Sequence, residues 1–302
     1  MITVVIISFY SRHHILDRIK EIGTSVPVVI VENSQDFELK KNLESIYPNV
    51  KVLIPPKNLG WGKAVNFAIK EINTNYIYLT QPDVILENDC IMKLEDCISK
   101  CKDFAILTPL DTGGYKNYQI YSKKENNIID NKYGLKEVDH VDITWLLNKA
   151  ELQEIGNWDE NIFLYYETFD LCKRLREKHK KIFIIKNIQT SHFMGSQSHD
   201  TKFEFQSLLN RNWHYNWSKF YYYQKHYGYF FGVRKTIPNL LRAIKKYIIH
   251  KVFIKGEKHK LHYAEISGLL SSYLKKPSSY RPYEKKVFVN FEMAHRNTEI
   301  FN

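Results

Sequence analysis

Residues 3–33 read TVVIISFYSRHHILDRIKEIGTSVPVVIVEN, and this stretch decides the fold. Two apolar runs, TVVIISFY (3–10) and VPVVIVEN (26–33), flank a segment with apolar residues at helical spacing. Unbroken runs rich in Val and Ile suit strands buried on both faces, and a helix between two of them makes a βαβ unit. The alternation continues down the chain. KVLIPP (51–56) is a strand before the helix KAVNFAIKEI, and NYIYLTQPDVIL (75–86) holds another before the helix IMKLEDCISKC. FAILTPL (104–110) follows. This spacing predicts an α/β fold with a mainly parallel, doubly wound sheet and flanking helices. Residues 111–140, rich in Gly, Asn, Lys and Tyr, read as an excursion or hairpin over the sheet edge. HVDITWLLNKAEL (140–152) reads as a strand running into a short helix, and KIFIIKNIQTSHF (181–193) as a further strand ending at His192. From about residue 203 the pattern turns helical and strongly aromatic.

The chain of 302 residues is long enough for one large or two modest domains. We read a first domain over 1–202 and a mostly helical C-terminal region over 203–302. The four cysteines (Cys90, Cys97, Cys101, Cys172) have neither metal-type pairing nor disulfide-scaffold density. They read as reduced, mostly buried thiols of a cytoplasmic protein. The opening apolar run is too short for a membrane span and lacks the basic start of a signal peptide, and no later window reaches the length of a span. The net charge of +11 is unevenly placed: residues 221–302 hold 16 Lys and Arg against 5 Asp and Glu. The first 220 residues hold the other 28 of each sign and are neutral. A neutral body therefore carries a basic C-terminal appendage.

In parallel sheets of this kind ligands bind beyond the carboxyl ends of the strands. Glu32 ends the second strand and is either a turn acid or an acceptor for a base imide or ribose hydroxyl. NLGWGKAVN (58–66) offers Gly60 and Gly62 at a strand-to-helix turn, where backbone can approach a phosphate or polar ligand closely. It lacks the third glycine of the dinucleotide fingerprint and the Lys-Ser/Thr ending of a P-loop. Asp83, after Pro82, is either a helix cap or a carboxylate for a diphosphate-bound cation, and His192 is a candidate second ligand. FLYYETFDLCKRLREKH (163–179) brings Glu167 and Asp170 to the start of a basic helix. Acids there offset the helix dipole and Thr168 suits an N-cap, so a structural role stands beside a catalytic one.

The order and spacing of these segments resemble the family 2 glycosyltransferases of the GT-A fold, particularly the bacterial rhamnosyltransferase-like branch. The matching segments are VENSQD (31–36), NLGWGKAVN (58–66), QPDV (81–84), GNWDENIFLYYETFDLCKRL (156–175) and SHFMGSQS (191–198). The likeness runs over roughly residues 3–200, and NRNWHYNWSKFYYYQKHYG (210–228) is similar to the aromatic segment that follows the catalytic domain in such proteins. The resemblance implies a nucleotide-sugar donor contacted by Glu32, Asn58, Gly60, Asn66 and Asp83. It implies a divalent metal, Mn2+ or Mg2+, held on the diphosphate by Asp83 with help from His192, and an acceptor-side wall at Asp159 and Glu160. Two departures stand out. Gln81 and Pro82 replace acids of the metal motif, and Thr168 replaces the Asp of the family's Glu-Asp pair. A threonine hydroxyl takes no proton at neutral pH, so proton transfer passes to a neighbouring carboxylate. Glu167, expected just before the helix, is the nominated base. Asp170, expected in the first turn, serves the helix end or orients that base. The implied reaction is inverting transfer to a hydroxyl of a glycan or lipid-linked acceptor in surface polysaccharide synthesis.

KTIPNLLRAIKKYIIHKVFIK (235–255) mixes apolar residues at helical spacing with Arg and Lys. It reads either as a helix for an anionic membrane surface, giving peripheral attachment inside the cell membrane, or as a solvated basic face. Two other classes remain. One is a nucleic-acid-binding protein using the aromatic and basic tail, disfavoured because no binding motif accompanies it and the charge is confined there. The other is a non-catalytic sugar-nucleotide-binding member of the same fold, in which Thr168 marks the lost base.

Overall fold

The first strand, β1 (Ile2–Ser8), is buried along its whole length and sits inside a sheet. In the computed structural model, which describes residues 1–101, 103–121, 128–130, 132–193, 201–254 and 256–282, the chain divides into two units. Unit one comprises Met1–Glu160 with Glu167–Ser198, and unit two comprises Asn161–Tyr166 with the residues from His199 onward.

In unit one, β1, β2 (Val28–Glu32), β3 (Val50–Leu53) and β4 (Tyr76–Thr80) are mutually parallel, in the order β3-β2-β1-β4. They are joined by α1 (Arg12–Ile22), α2 (Phe37–Ile46) and α3 (Gly62–Ile69). Local sequence sets these helices. Gly23 ends α1 at φ 74°, which costs glycine nothing, and the Asp36 carboxylate caps α2 by accepting from the Leu39 amide at 2.8 Å. Side chains alternate across the sheet, so Val4 and Ile6 join the core beneath α1 and α2, while Val5 and Ile7 join the one beneath α3.

Two segments are each divided, the first at the strand end expected beside Asp83 and the second against expectation. The segment 75–86 divides into β4 and β5 (Val84–Leu86) around a turn at Gln81–Asp83 containing Pro82, which has no amide to donate. The segment 140–152 divides into β10 (His140–Val141) and β11 (Trp145–Asn148), because Ile143 sits at φ 76°, a rare state for a β-branched residue. Between these breaks lie α4 (Cys90–Lys100), β6 (Ile106–Asp111), β7 (Tyr118–Gln119), β8 (Ile128–Asp130) and β9 (Leu135–Glu137). After them come α5 (Lys149–Glu154), α6 (Glu167–Glu177) and β12 (Ile182–His192).

The full sheet runs β3-β2-β1-β4-β11-β6-β12-β9-β8, with β5 also paired to β12. Strands β3, β2, β1, β4, β6, β12 and β8 point one way, and β11, β9 and β5 run against them. The sheet is thus mixed but mostly parallel, and its helices flank it. The excursion supplies both an edge hairpin, β8–β9, and a small separate sheet, β7–β10.

Unit two is helical: α7 (Thr201–Tyr227), α8 (Tyr229–Phe253) and α9 (Lys258–Tyr273). Gly228, at φ 91°, lets the chain turn between α7 and α8, and Gly232 packs where a Cβ would stand 2.9 Å from the Phe220 ring. Tyr280, Trp213, Trp217 and Tyr221 form a near-parallel stack of rings. His214 is fully buried, bonded to Ser278 Oγ and the Tyr280 carbonyl at 2.8 Å each, and burial pushes it down to about 3, so the ring is neutral. All four cysteines are free thiols, with Cys90, Cys97 and Cys172 buried. Among the described residues no helix is long and apolar enough to cross a membrane.

Candidate active site

The carboxyl ends of the strands carry two clusters, and a third forms at the start of α6. The first lies at β1 and β2, where Ser8 pairs with Glu32. Glu32 is almost wholly buried, and its carboxylate accepts from Ser8 Oγ, Ser34 Oγ and, at 2.7 Å, the Ser34 amide. Ser34 Oγ also accepts from the Tyr10 amide at 3.1 Å. Next to it, Asn33 accepts from the Leu59 amide and donates to the Gly60 carbonyl, both at 3.2 Å. Asn58 Oδ1 accepts from the Gly60 amide at 2.9 Å, and Gly60 holds φ 77°. Asn58 and Gly60 therefore share one network with Asn33, the chain neighbour of Glu32 that strand-end reasoning did not single out.

Asn66 belongs to a different arrangement. Its side chain clamps the Trp158 backbone, accepting from the amide at 3.1 Å and donating to the carbonyl at 2.9 Å, and it reaches Glu160 at 3.2 Å. Lys63 pairs with Glu160 at 2.9 Å. Burial raises the Glu160 pKa, but Lys63 and Asn66 outweigh it and hold the group below its ordinary value. Gly62 packs closely here, since a Cβ would stand 3.1 Å from that of Trp158. These contacts fasten the turn carrying Asp159 and Glu160 onto α3. Trp61 meets Trp145 and Trp158 edge-on, at 5.0 and 5.8 Å between centroids.

The second cluster forms where β12 meets β5. Their antiparallel pairing places His192 opposite Val84, beside Asp83. His192 Nε2 lies 3.3 Å from Asp83 Oδ2, and the Phe193 amide donates to the Asp83 carbonyl at 3.1 Å. The His192 amide donates to Asp111 Oδ1 at 2.8 Å, and Gly113 lies so close to His192 that a Cβ would sit 2.5 Å from its carbonyl oxygen. The bond to Asp83, more than opposing burial, raises the His192 pKa, with added charge from Asp83, Asp111 and Asp142. His192 Nδ1 is buried with no partner among the described residues. Neighbouring ligands at right angles on a cation with ~2.1 Å bonds lie about 3 Å apart, so this pair has the spacing to share one. No three acid, thiol or imidazole side chains among the described residues gather tightly enough to hold a metal alone. The 194–198 part of the SHFMGSQS segment lies outside the described residues.

The third cluster is at α6, which begins at Glu167. Thr168 is therefore buried inside the first turn rather than capping it, and Glu167 shares that turn with Asp170 rather than preceding the helix. Tyr165 and Tyr166, which precede the helix, sit at φ 64° and 65°. Phe169 stacks on His140 at 4.0 Å, which packs this turn against β10 and the Asp142 that follows. Burial, then the Arg176 charge, pushes His140 down to about 4, leaving it neutral.

Part of Glu167 reaches the surface, but its Oε2 is buried and has no hydrogen-bond partner among the described residues. Burial pushes its carboxyl up to about 8, with its own backbone amide opposing and the Asp142 charge adding. Asp142 is itself raised by burial, against the Ile143 amide at 2.9 Å, the His192 charge and Tyr115 OH at 3.5 Å. Asp170 is fully buried and bonded to Arg174 at 2.8 Å. Arg174 in turn donates to the carbonyls of Ile155 and Asn157 at 2.8 and 2.7 Å. Asp142 and Asp111 are the members that sequence reading passed over. A signal existed for both: Asp142 is a charge inside an apolar run, and Asp111 ends a strand just as Asp83 does.

Buried carboxylates at strand ends, next to a glycine turn and an acid–imidazole pair, fit phosphate and hydroxyl chemistry. The chain is similar to known sugar transferases. A low-salt glycan biosynthesis hexosyltransferase of Haloferax volcanii is 21% identical over 197 residues, covering 60% of this chain and 63% of that protein. A dTDP-rhamnosyl transferase of Shigella flexneri is 25% identical over 182 residues, covering 57% and 61%. The chain thus spans about three fifths of the length of each relative. The solved structure of a mannosyltransferase from Pyrobaculum calidifontis, in complex with GDP-Man and Mn2+, superposes with a TM-score of 0.55 at 8% identity. It covers 91% of this chain and 87% of its own, and the shared architecture is the GT-A fold. The sequence profile of glycosyl transferase family 2 matches residues 3–174, more than half of the chain. This protein belongs to glycosyl transferase family 2.

Proposed function

We infer that the protein is an inverting glycosyltransferase that moves a sugar from a nucleotide diphosphate sugar to a hydroxyl of a glycan or lipid-linked acceptor, and that it serves surface polysaccharide synthesis. The observation that carries this reading is Glu167, whose Oε2 is buried without a hydrogen-bond partner among the described residues and whose carboxyl is pushed up to about 8. A base works best with a pKa near the working pH, and a buried oxygen ready to accept a hydrogen bond suits the removal of a hydroxyl proton. Glu167 accepts the acceptor's proton as its oxygen attacks the sugar carbon from the face opposite the diphosphate. Asp170, spent on Arg174, holds the start of α6 and is a positioning residue. Asn58 and Gly60, in a turn that Asn33 and Asn58 hold by accepting from its Leu59 and Gly60 amides, would line the donor side together with Glu32. Asp83 and His192 would hold Mn2+ or Mg2+, whose Lewis acidity stabilises the departing diphosphate. Asp159 and Glu160 form the acceptor-side turn, which Asn66 holds.

The test is a thermal-shift series with nucleotide diphosphates and sugar nucleotides, with and without Mn2+ or Mg2+, followed by NMR of the product's anomeric configuration. A ligand at a hundred times its Kd adds about 2.7 kcal/mol. The expected result is a metal-dependent shift that Asp83→Ala removes, and an inverted product. A shift that is unaffected by Asp83→Ala overturns the metal assignment, and a retained configuration overturns the mechanism.

A further inference from the structure

Helix α8 has two faces that the transferase reading leaves unused. Its small residues Gly232, Thr236 and Ala243 are buried and pack inward. On the opposite side Phe230, Ile237, Leu241, Ile244, Ile248 and Val252 recur at intervals of three, four and seven residues, and all are exposed. Phe230 is 87% exposed, Leu241 61% and Val252 64%. An apolar stripe with that period lies along one side of a helix. A helix apolar on its outward side and left uncovered marks an interaction surface.

The charges identify the occupant. Arg234, Lys235, Arg242, Lys245, Lys246 and Lys251 border the stripe, all exposed, and residues 229–253 contain no Asp or Glu. A second copy of α8 laid on the first would set these cations against their like, with no acid on either helix to offset them. An anionic lipid surface supplies the missing charge and also takes up the apolar side chains. The helix is 25 residues long, about 37 Å, and no helix among the described residues is apolar enough to cross a bilayer. We propose that α8 lies in the plane of an anionic membrane interface, with its Phe230–Leu241–Ile248 stripe in the acyl boundary and its Lys and Arg on the headgroup phosphates.

The experiment is co-sedimentation of the full chain with phosphatidylcholine vesicles, with and without phosphatidylglycerol. The expected result is binding to the phosphatidylglycerol vesicles that falls steeply between about 50 mM and about 500 mM salt. Replacing both Lys245→Gln and Lys246→Gln cuts it about thirtyfold. Leu241→Glu with Ile248→Glu abolishes it. Both double variants change exposed residues and keep the wild-type melting temperature within a few degrees. Equal binding to both vesicle types overturns the proposal, as does binding indifferent to Leu241→Glu with Ile248→Glu. A dimer in size-exclusion chromatography that this variant splits also overturns it, because the stripe then joins two copies. The wild-type salt series needs no substitution, so the proposal stays testable if either variant misfolds.

Discussion

Replacing Glu167 by Gln tests the burial of the nominated base directly, through stability rather than activity. Glu167 has an ordinary value of 4.5 and is pushed up to about 8 in the folded chain. An acid whose folded value is raised is held most favourably when protonated. The native state is therefore unpenalised below pH 4.5 and loses stability as pH rises toward 8, after which the loss is constant. Linkage between those two values costs about 0.8 kcal/mol at pH 5 and about 3.4 kcal/mol at pH 7, a difference near 2.5 kcal/mol. Part of the residue reaches solvent, which trims the figure to about 2 kcal/mol. Glutamine does not titrate, so Glu167→Gln should lack this fall, whatever fixed cost its amide adds. Urea or thermal unfolding of both proteins at pH 5 and pH 7 measures it. The wild type should lose about 2 kcal/mol more than the variant, or about 4–8 °C in Tm for a unit of this size. Every other titrating group is common to the two proteins and cancels. Parallel stability profiles would refute the reasoning, because they would mean that Glu167 is solvated and ionised throughout. In the transfer assay the same variant should lose about 100- to 10,000-fold in rate, the usual worth of a general base.

Three further outcomes follow from the contacts around the site. Asn66→Ala removes both hydrogen bonds to the Trp158 backbone inside a buried turn and should cost about 2–4 kcal/mol by denaturant unfolding; a cost below about 0.5 kcal/mol would show that the clamp is dispensable. Arg174→Met takes the ion-pair partner from fully buried Asp170 and should cost about 3–5 kcal/mol, with Asp170→Asn in the same chain restoring at least half, whereas additive losses would deny the coupling. Gly113→Ala drives a methyl against the His192 backbone and should cost about 1–3 kcal/mol while weakening metal-dependent donor binding, and unchanged donor affinity would separate Gly113 from the site.

The fold was largely legible because its signals are local. The runs 3–10 and 26–33 could only be buried strands, and the structure places β1 and β2 inside them, side by side and parallel. The turn at Pro82 ends β4 where the strand-end reading of Asp83 put it, whereas Ile143 broke the run 140–152 by adopting a conformation that its own side chain disfavours. Nothing in the sequence around Ile143 announces that state. It is imposed by tertiary contacts, among them the hydrogen bond from Gln81 to the Ile143 carbonyl at 3.0 Å.

The site was legible as a set of strand ends but not as a set of partners. Hydrophobic pattern places Asp83 and His192 at two separate strand termini, yet their 3.3 Å approach depends on β5 folding back onto β12, a pairing that no periodicity encodes. The same limit hides the partners of Asn66 and Asp170: nothing in NLGWGKAVN or in the segment after Glu167 foretells that Asn66 clamps Trp158 and that Asp170 bonds Arg174. Thr168 carries the point furthest. As a sequence change it looks like the loss of a base, since it stands where an acid is expected. In the structure it lies buried in the first turn of α6, one residue from a carboxylate with the raised pKa that a base requires. An Asp at 168 would put a third acid into a turn that already holds Glu167 and Asp170, with Asp142 nearby. Like charge there raises the cost of ionising each member. Threonine removes that competitor, so Glu167→Gln in this chain should show the full loss of about 100- to 10,000-fold in transfer rate, with no rescue from position 168.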